Sequence, residues 1–165
     1  MTITLFAQPY DISAAGFYFE TVEDYDRLAA TNRNDFGQVV EEYEIQFIDG
    51  DNLDAEMAKA FGLSQGNFSR FLEMAENDSD DEKLAFIIAV GECGYSADRA
   101  DNVDIDIYPN MNMRELAEQF VDEGLFCDIP ANLACYLDYD AIARDLSMDY
   151  TETEIAGQRL VYRCG

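Results

Sequence analysis

The chain has 165 residues, with 35 Asp and Glu against 10 Lys and Arg, a formal net charge of -25, and neither His nor Trp. Without His, no Ser-His-Asp or Cys-His nucleophile and no His-ligated metal site can be assembled, and an excess of acid on this scale repels nucleic acid and anionic membranes. Aromatic residues make up 13% of the chain, too many for a disordered acidic tail, so a folded domain is expected.

In chain order, Ile3-Thr4-Leu5-Phe6-Ala7 alternates and predicts a strand, Pro9-Tyr10-Asp11 turns the chain, and Gly16-Phe17-Tyr18-Phe19 predicts a second strand. Thr21 then caps a helix with Val22, Tyr25, Leu28 and Ala29 on one face and Glu23, Asp24 and Asp26 on the other. From Glu42 to Ile48 the pattern alternates again, Tyr43, Ile45 and Phe47 facing one way, until Asp49-Gly50-Asp51 ends the strand. The middle predicts helices: Met57 and Phe61 before a stop at Gly62, then Phe68, Phe71, Leu72 and Ala75 on one apolar face. A capping box at Ser79 and Glu82 follows, with Leu84, Ile87, Ile88 and Gly91 behind it.

The last third returns to mixed structure. Val103, Ile105 and Ile107 alternate with Asp104 and Asp106. Asn112 with Glu115 opens a helix whose core face is Met113, Leu116, Ala117, Phe120 and Val121 and whose outer face carries Glu115, Glu118, Asp122 and Glu123. Pro130 suits the first position of a helix, and Thr151 to Ile155, Ala156-Gly157 and Leu160 to Arg163 read as a β-hairpin. The fold class is therefore expected to be α+β, with lobes at 1–60 and 104–165 mixing strands and helices and a helical lobe at 61–103.

Two short motifs dissolve on inspection. Gly62-Leu63-Ser64-Gln65-Gly66 spells the hydrolase nucleophile elbow, but a helix precedes it and no His exists to activate the serine. It reads as a helix-to-helix turn capped by Ser64. The run Asp49 to Asp54 resembles a calcium loop but has Asp54 and Ala60 where an EF-hand needs Gly and Glu, which leaves at most a weak cation site. The 35 acids make any one carboxylate pair uninformative for acid–base catalysis. No cofactor fingerprint, catalytic residue or metal set is expected. Asn67 and Asn77 fit the glycosylation pattern without a secretory context. Cys93, Cys127, Cys135 and Cys164 form no C-x-x-C pair and read as reduced, buried thiols of a cytoplasmic protein. Met1-Thr2-Ile3 lacks a basic leader, and the longest apolar run, Leu84 to Val90, falls far short of the roughly 20 residues that span a bilayer.

The charge itself is the strongest functional signal. A compact fold of this length is about 40 Å across, and duplex DNA carries roughly 24 charges over that length. The protein's charge density approaches that of DNA, and the acid excess is spread along the whole chain rather than gathered in a tail. DNA mimicry accounts for that; halophilic adaptation and plain solubility are the competing readings, the Asp excess and only two lysines suiting a halophile and the abundant Phe, Ile and Tyr suiting it less well.

The stretch Ile129-Pro130-Ala131-Asn132-Leu133-Ala134-Cys135-Tyr136-Leu137-Asp138-Tyr139-Asp140, continuing through Ala141 and Ile142 to Arg144-Asp145-Leu146, resembles the C-terminal signature of the ArdA antirestriction family. Ile3 to Phe19, with Tyr10-Asp11 and Gly16-x-Tyr18, and Glu41-Glu42-Tyr43-Glu44-Ile45 ending at Asp49, are similar to two upstream segments of that family in the same order. Tyr18 and Tyr43 stand where the family usually has Trp, and the helical middle lies outside the match. The resemblance implies an elongated, dimeric, non-enzymatic mimic of bent B-form DNA that occupies the DNA-binding groove of type I restriction–modification enzymes. It would bind neither nucleic acid nor membrane itself.

On that reading Glu23, Asp24, Asp26, Glu115, Glu118, Asp122, Asp138, Asp140 and Asp145 are the partner-facing carboxylates. Among the signature residues, Leu133, Tyr136, Leu137, Ile142 and Leu146 read as core, Pro130 as a helix start and Tyr139 as structural. Arg144 is expected in an internal pair with a carboxylate. The dimer interface must be poor in acid, which places it at Phe86 to Tyr95, with Phe86, Val90 and Tyr95 as its anchors. Alternatives are another acidic inhibitor, such as an anti-CRISPR or a nucleoid-protein decoy, and a halophilic adaptor domain.

Overall fold

The computed structural model describes residues 2–165. The fold is α+β, with two three-stranded sheets, and the chain divides into two compact units, Met1–Ala100 and Asp101–Gly165.

In the first unit, β1 (Thr4–Pro9) is the central strand of an antiparallel sheet, between β2 (Phe17–Phe19) and β3 (Tyr43–Asp49). Leu5 lies opposite Phe19 and Phe47, and Ala7 opposite Phe17 and Ile45. The two-residue period of a strand thus gathers Leu5, Ala7, Phe19, Tyr43 and Ile45 on one buried face. On the other face the rings of Phe6 and Tyr18 meet with centroids 4.7 Å apart. A methyl group on Gly16 would strike the Phe6 ring and come within 2.7 Å of the Ala7 carbonyl oxygen, so β2 can close on β1 only with glycine there.

Helix α1 (Val22–Thr31) starts where the Thr21 hydroxyl accepts the Asp24 N–H at 3.1 Å. It buries Tyr25 among Phe17, Phe19, Tyr43 and Phe68, with ring centroids 4.6 to 6.0 Å apart. Helix α2 (Asn52–Phe61) is capped by the Asp51 carboxylate and ends at Gly62, whose left-handed φ of 57° favours glycine. Between α2 and α3 (Phe68–Asn77), the turn is held by Asn67 and by backbone rather than by the Ser64 hydroxyl: the Ser64 N–H donates to Asn67 Oδ1 at 2.7 Å. Gln65 in this turn ties three elements together, donating to Tyr25 Oη and the Glu41 carbonyl and accepting the Tyr43 N–H. Helix α4 (Asp80–Ile87) opens on the Ser79–Glu82 capping box and runs into a π-helical turn, Ile88–Glu92, closed by the Cys93 N–H on the Ile88 carbonyl.

That capping box sets a pH dependence. The Glu82 carboxylate accepts from the Ser79 N–H at 2.8 Å and its hydroxyl at 2.7 Å, which holds its pKa below the ordinary 4.5. A group depressed in the folded state contributes stability above its unfolded value and loses it as pH falls through the folded value. Glu82→Gln keeps the reach of the side chain and removes the charge. The variant should therefore melt below the parent at pH 7, and the difference should shrink as the pH falls below 4.5 and close once it is below the folded value. A difference that stays constant from pH 7 to 3 would count against the charged cap.

In the second unit, β6 (Gln158–Cys164) lies between β4 (Ile105–Pro109) and β5 (Thr151–Ile155). The β5–β6 hairpin turns on Ala156 and Gly157 with φ of 51° and 80°, the left-handed pair that matches strand twist. Helix α5 (Met113–Asp122) starts in a capping box of Asn112 and Glu115. It buries Leu116 and Phe120 against Val161, with Tyr108, Met113, Leu146 and Tyr150 around them. Helices α6 (Ala131–Ala134) and α7 (Tyr139–Leu146) follow.

Several expectations are corrected. Segment 61–103 does not stand apart from 1–60: α2 packs on α3, α4 and β3, so the N-terminal sheet and most of the helical middle share one unit. Phe86 is not an interface anchor. It is 3% exposed and stacked on Phe61 at 4.5 Å, while Val90 and Tyr95 are half-buried. The low acid content of this stretch reflects its place in the core. Pro130 is the cap residue preceding α6, one position before the expected one. Leu133 and Tyr136 are exposed, at 50% and 83%, because α6 has only four residues and buries none of them. Leu137, Tyr139, Ile142 and Leu146 are half-buried. Cys127 and Cys135 are free but exposed, and Cys93 and Cys164 are half-cystines rather than reduced thiols. No helix among the described residues is long and apolar enough to cross a membrane.

Candidate acidic interaction surface

Of the 35 carboxylates, 28 are exposed, six are half-buried and only Asp54 is buried, so almost the whole acid excess faces solvent. The reason is local. On α1 and α5 the apolar residues recur at helical spacing and take the core face, which leaves the acids between them pointing outward. Glu115, Glu118 and Asp122 fall on one side of α5 within about 10 Å of helix, a linear density within a factor of two of one DNA strand, at roughly 3.4 Å per charge. On strand β5, Glu152 and Glu154 share a face at about 6.7 Å.

The nine sequence-predicted carboxylates separate into two groups. Glu23, Asp26, Asp122 and Asp145 are exposed, and their carboxylates make no hydrogen bond or ion pair among the described residues. The other five are engaged within their own unit. Asp24 pairs with Arg27 at 2.8 Å, and Arg114 bridges Glu118 at 3.1 Å and Asp140 at 2.8 Å across α5 and α7. Those two contacts, Glu118 first, raise the Arg114 pKa. Glu115 and Asp138 cap α5 and α7. These five remain at the surface, but a variant at any of them also changes a local structural contact.

The bases follow a matching pattern. Arg27, Lys59, Arg70, Lys83, Arg114 and Arg163 all hold carboxylates within 4.0 Å, which removes them from the outward field. Arg144 is the correction: expected in an internal pair, it is exposed and has no carboxylate partner among the described residues. It lines a shallow cavity with Met113, Ser147, Tyr150 and Glu152.

The Asp49 to Asp54 segment does not offer a cation its side chains. Asp51 accepts the Asp54 N–H at 2.8 Å, and the Asp54 carboxylate meets Lys83 Nζ at 2.8 Å with both side chains buried. This pair escaped the sequence reading, although a signal was present. Lys83 stands at i, i+3, i+4 and i+7 spacing with Phe86, Ile87 and Val90, on the apolar stripe of its helix. Among the described residues no group of three or more Cys, Asp or Glu is placed to hold a metal ion. Compared with models of known protein families and with curated proteins, the sequence matches none.

Proposed function

We propose that this protein is a DNA-mimicking antirestriction factor of the ArdA type, acting in the cytoplasm by filling the DNA-binding groove of a type I restriction–modification enzyme. The observation that carries the reading is the outward disposition of the charge: 28 exposed carboxylates, on helices, strands and loops of both units, with six of the ten bases paired to carboxylates. A surface of this kind is suited to Lys and Arg side chains that otherwise hold phosphates. The sequence resemblance through Pro130, Tyr136, Asp138, Arg144 and Leu146 supplies the target class.

The direct test is cleavage of unmodified plasmid by a type I endonuclease, with and without the protein. The assay is run with and without reductant, since the cytoplasm is reducing and Cys93 and Cys164 are half-cystines. Inhibition relieved by excess duplex supports the proposal. Full cleavage at saturating protein removes the type I assignment, and the same assay on a Cas nuclease or a nucleoid protein then tests the other acidic-inhibitor readings.

Two further outcomes follow from the charge. Repulsion among carboxylates lowers the stability of the folded state, and the Debye length shrinks from about 30 Å at 0.01 M to about 10 Å at 0.1 M salt. The melting temperature should therefore rise with NaCl over that range; a flat or falling curve would mean the carboxylates already balance one another.

The proposal also includes a homodimer. With Phe86 in the core, pairing is assigned instead to exposed large hydrophobics, which in the second unit include Leu125, Phe126, Leu133 and Tyr136, each at least half exposed. Sedimentation at micromolar concentration should give a dimer that weakens at low salt, and Tyr136→Glu should yield a monomer. A parent protein that stays monomeric at every salt concentration removes the dimer from the proposal.

A further inference from the structure

A groove of about 510 Å³ lies in the first unit between the start of α1 and the outer face of α3. Its floor includes the half-buried side chains of Val22 and Leu72, and its rim carries Glu20, Glu23, Glu73 and Glu76. None of the four glutamates has an ion-pair or hydrogen-bond partner for its carboxylate among the described residues. We propose that this groove receives an arginine side chain from a basic segment of a partner protein. The inference rests on the reading that the partner presents a basic surface, and it locates where that surface is held by more than charge alone.

Two features of the groove call for a cation. The rim carries four carboxylates. In addition, α3 ends here, with Glu76 and no base in its last turn. A helix C-terminus carries a partial negative charge that Lys or Arg ordinarily offsets, and here acids add to it. Glu23 differs, since it sits in the first turn of α1 and is partly balanced by the positive end of that helix. The field is therefore strongest along Glu73 and Glu76.

The apolar floor selects among cations. A bare ion gains nothing from Val22 and Leu72, and no metal-holding group of three acids is found among the described residues. Arginine carries three methylenes and a weakly hydrated planar head with five donors. Its stem can lie on the floor while the guanidinium bridges two carboxylates. Lysine is more strongly hydrated and presents a point charge, so it fits less well.

The test uses the full chain labelled with 15N, titrated at 0.15 M NaCl with the capped peptide acetyl-Ala-Arg-Ala-Ala-Arg-Ala-amide, and read by amide chemical shifts. Perturbations should concentrate at Val22, Glu23, Leu72, Glu73 and Glu76. Glu73→Gln with Glu76→Gln should weaken binding about tenfold, whereas Asp122→Asn with Asp145→Asn, an equal change of charge elsewhere, should weaken it less than about twofold. Replacing each arginine with a guanidino residue two methylenes shorter should also reduce affinity. Shifts spread over all acidic surfaces, equal losses in the two double variants, or spermidine binding at the groove as tightly as the peptide would each overturn the proposal. Because the readout needs no restriction enzyme, localised peptide binding together with failed endonuclease inhibition would reject the antirestriction function and leave the groove standing.

Discussion

Lys83→Met should destabilise the first unit by about 3–5 kcal/mol, because it strands the Asp54 carboxylate in the core without its partner. Asp54 and Lys83 are 3% and 6% exposed and 2.8 Å apart, joining α2 to α4. Two charges removed from water are tolerated only while they face each other, and the loss of one leaves the full desolvation cost of the other. The double variant Asp54→Leu with Lys83→Met should recover most of that loss, since a buried ion pair and a well-packed apolar pair of similar volume are often close in stability. Urea unfolding followed by circular dichroism measures all three differences. If the single variant fails to fold, as a protein with only 5–15 kcal/mol of stability could, the folding of the double variant still decides the matter. A single variant within about 1 kcal/mol of the parent would mean that water reaches the pair.

On the outer surface the expected pattern is opposite, with small single effects and a large collective one. An exposed ion pair with a partner contributes roughly 0–1 kcal/mol. Asp122→Asn or Asp145→Asn alone should therefore leave competition with duplex DNA for a type I enzyme within a few-fold of the parent. Neutralising six or more exposed carboxylates, starting from Glu23, Asp26, Asp122 and Asp145, should weaken competition by roughly 100-fold or more, because about 1.4 kcal/mol corresponds to a factor of ten. These four are the clean choices. Asp138→Asn disturbs the cap of α7, and Glu118→Gln loosens the Arg114 bridge to Asp140, so either mixes charge with structure. Displacement of labelled duplex, titrated with each variant, gives the series. If one of the four clean substitutions abolished competition while fold and dimer persisted, the distributed mechanism would be wrong.

Most secondary structure was legible because it follows from local rules. The Thr21 cap, both capping boxes, the Gly62 stop and the Ala156-Gly157 turn each depend on a few neighbouring residues. Helix α7 is capped by Asp138, but its apolar residues, Ile142, Ala143 and Leu146, are too few to announce a helix against the signature in which they lie. The exposure of the acids was also readable, since charge cannot be buried in bulk and the helical period shows which face is apolar.

By itself, then, the sequence determined the α+β class, the cap positions and an outward field of carboxylates, all set by residues within one or two turns of each other. Only the tertiary structure decided which long-range partners meet. The pairing of β4 with β6 joins segments about 50 residues apart, and Lys83 finds Asp54 across 29 residues of chain. It also separated free carboxylates from engaged ones and moved Phe86 from a supposed interface into the core. Apolar spacing reports that a face is buried and says nothing of what buries it, so an interface anchor and a core residue look alike until the fold brings Phe61 against Phe86. An acid on a solvent face likewise carries the same signal whether or not an arginine from the next helix reaches it.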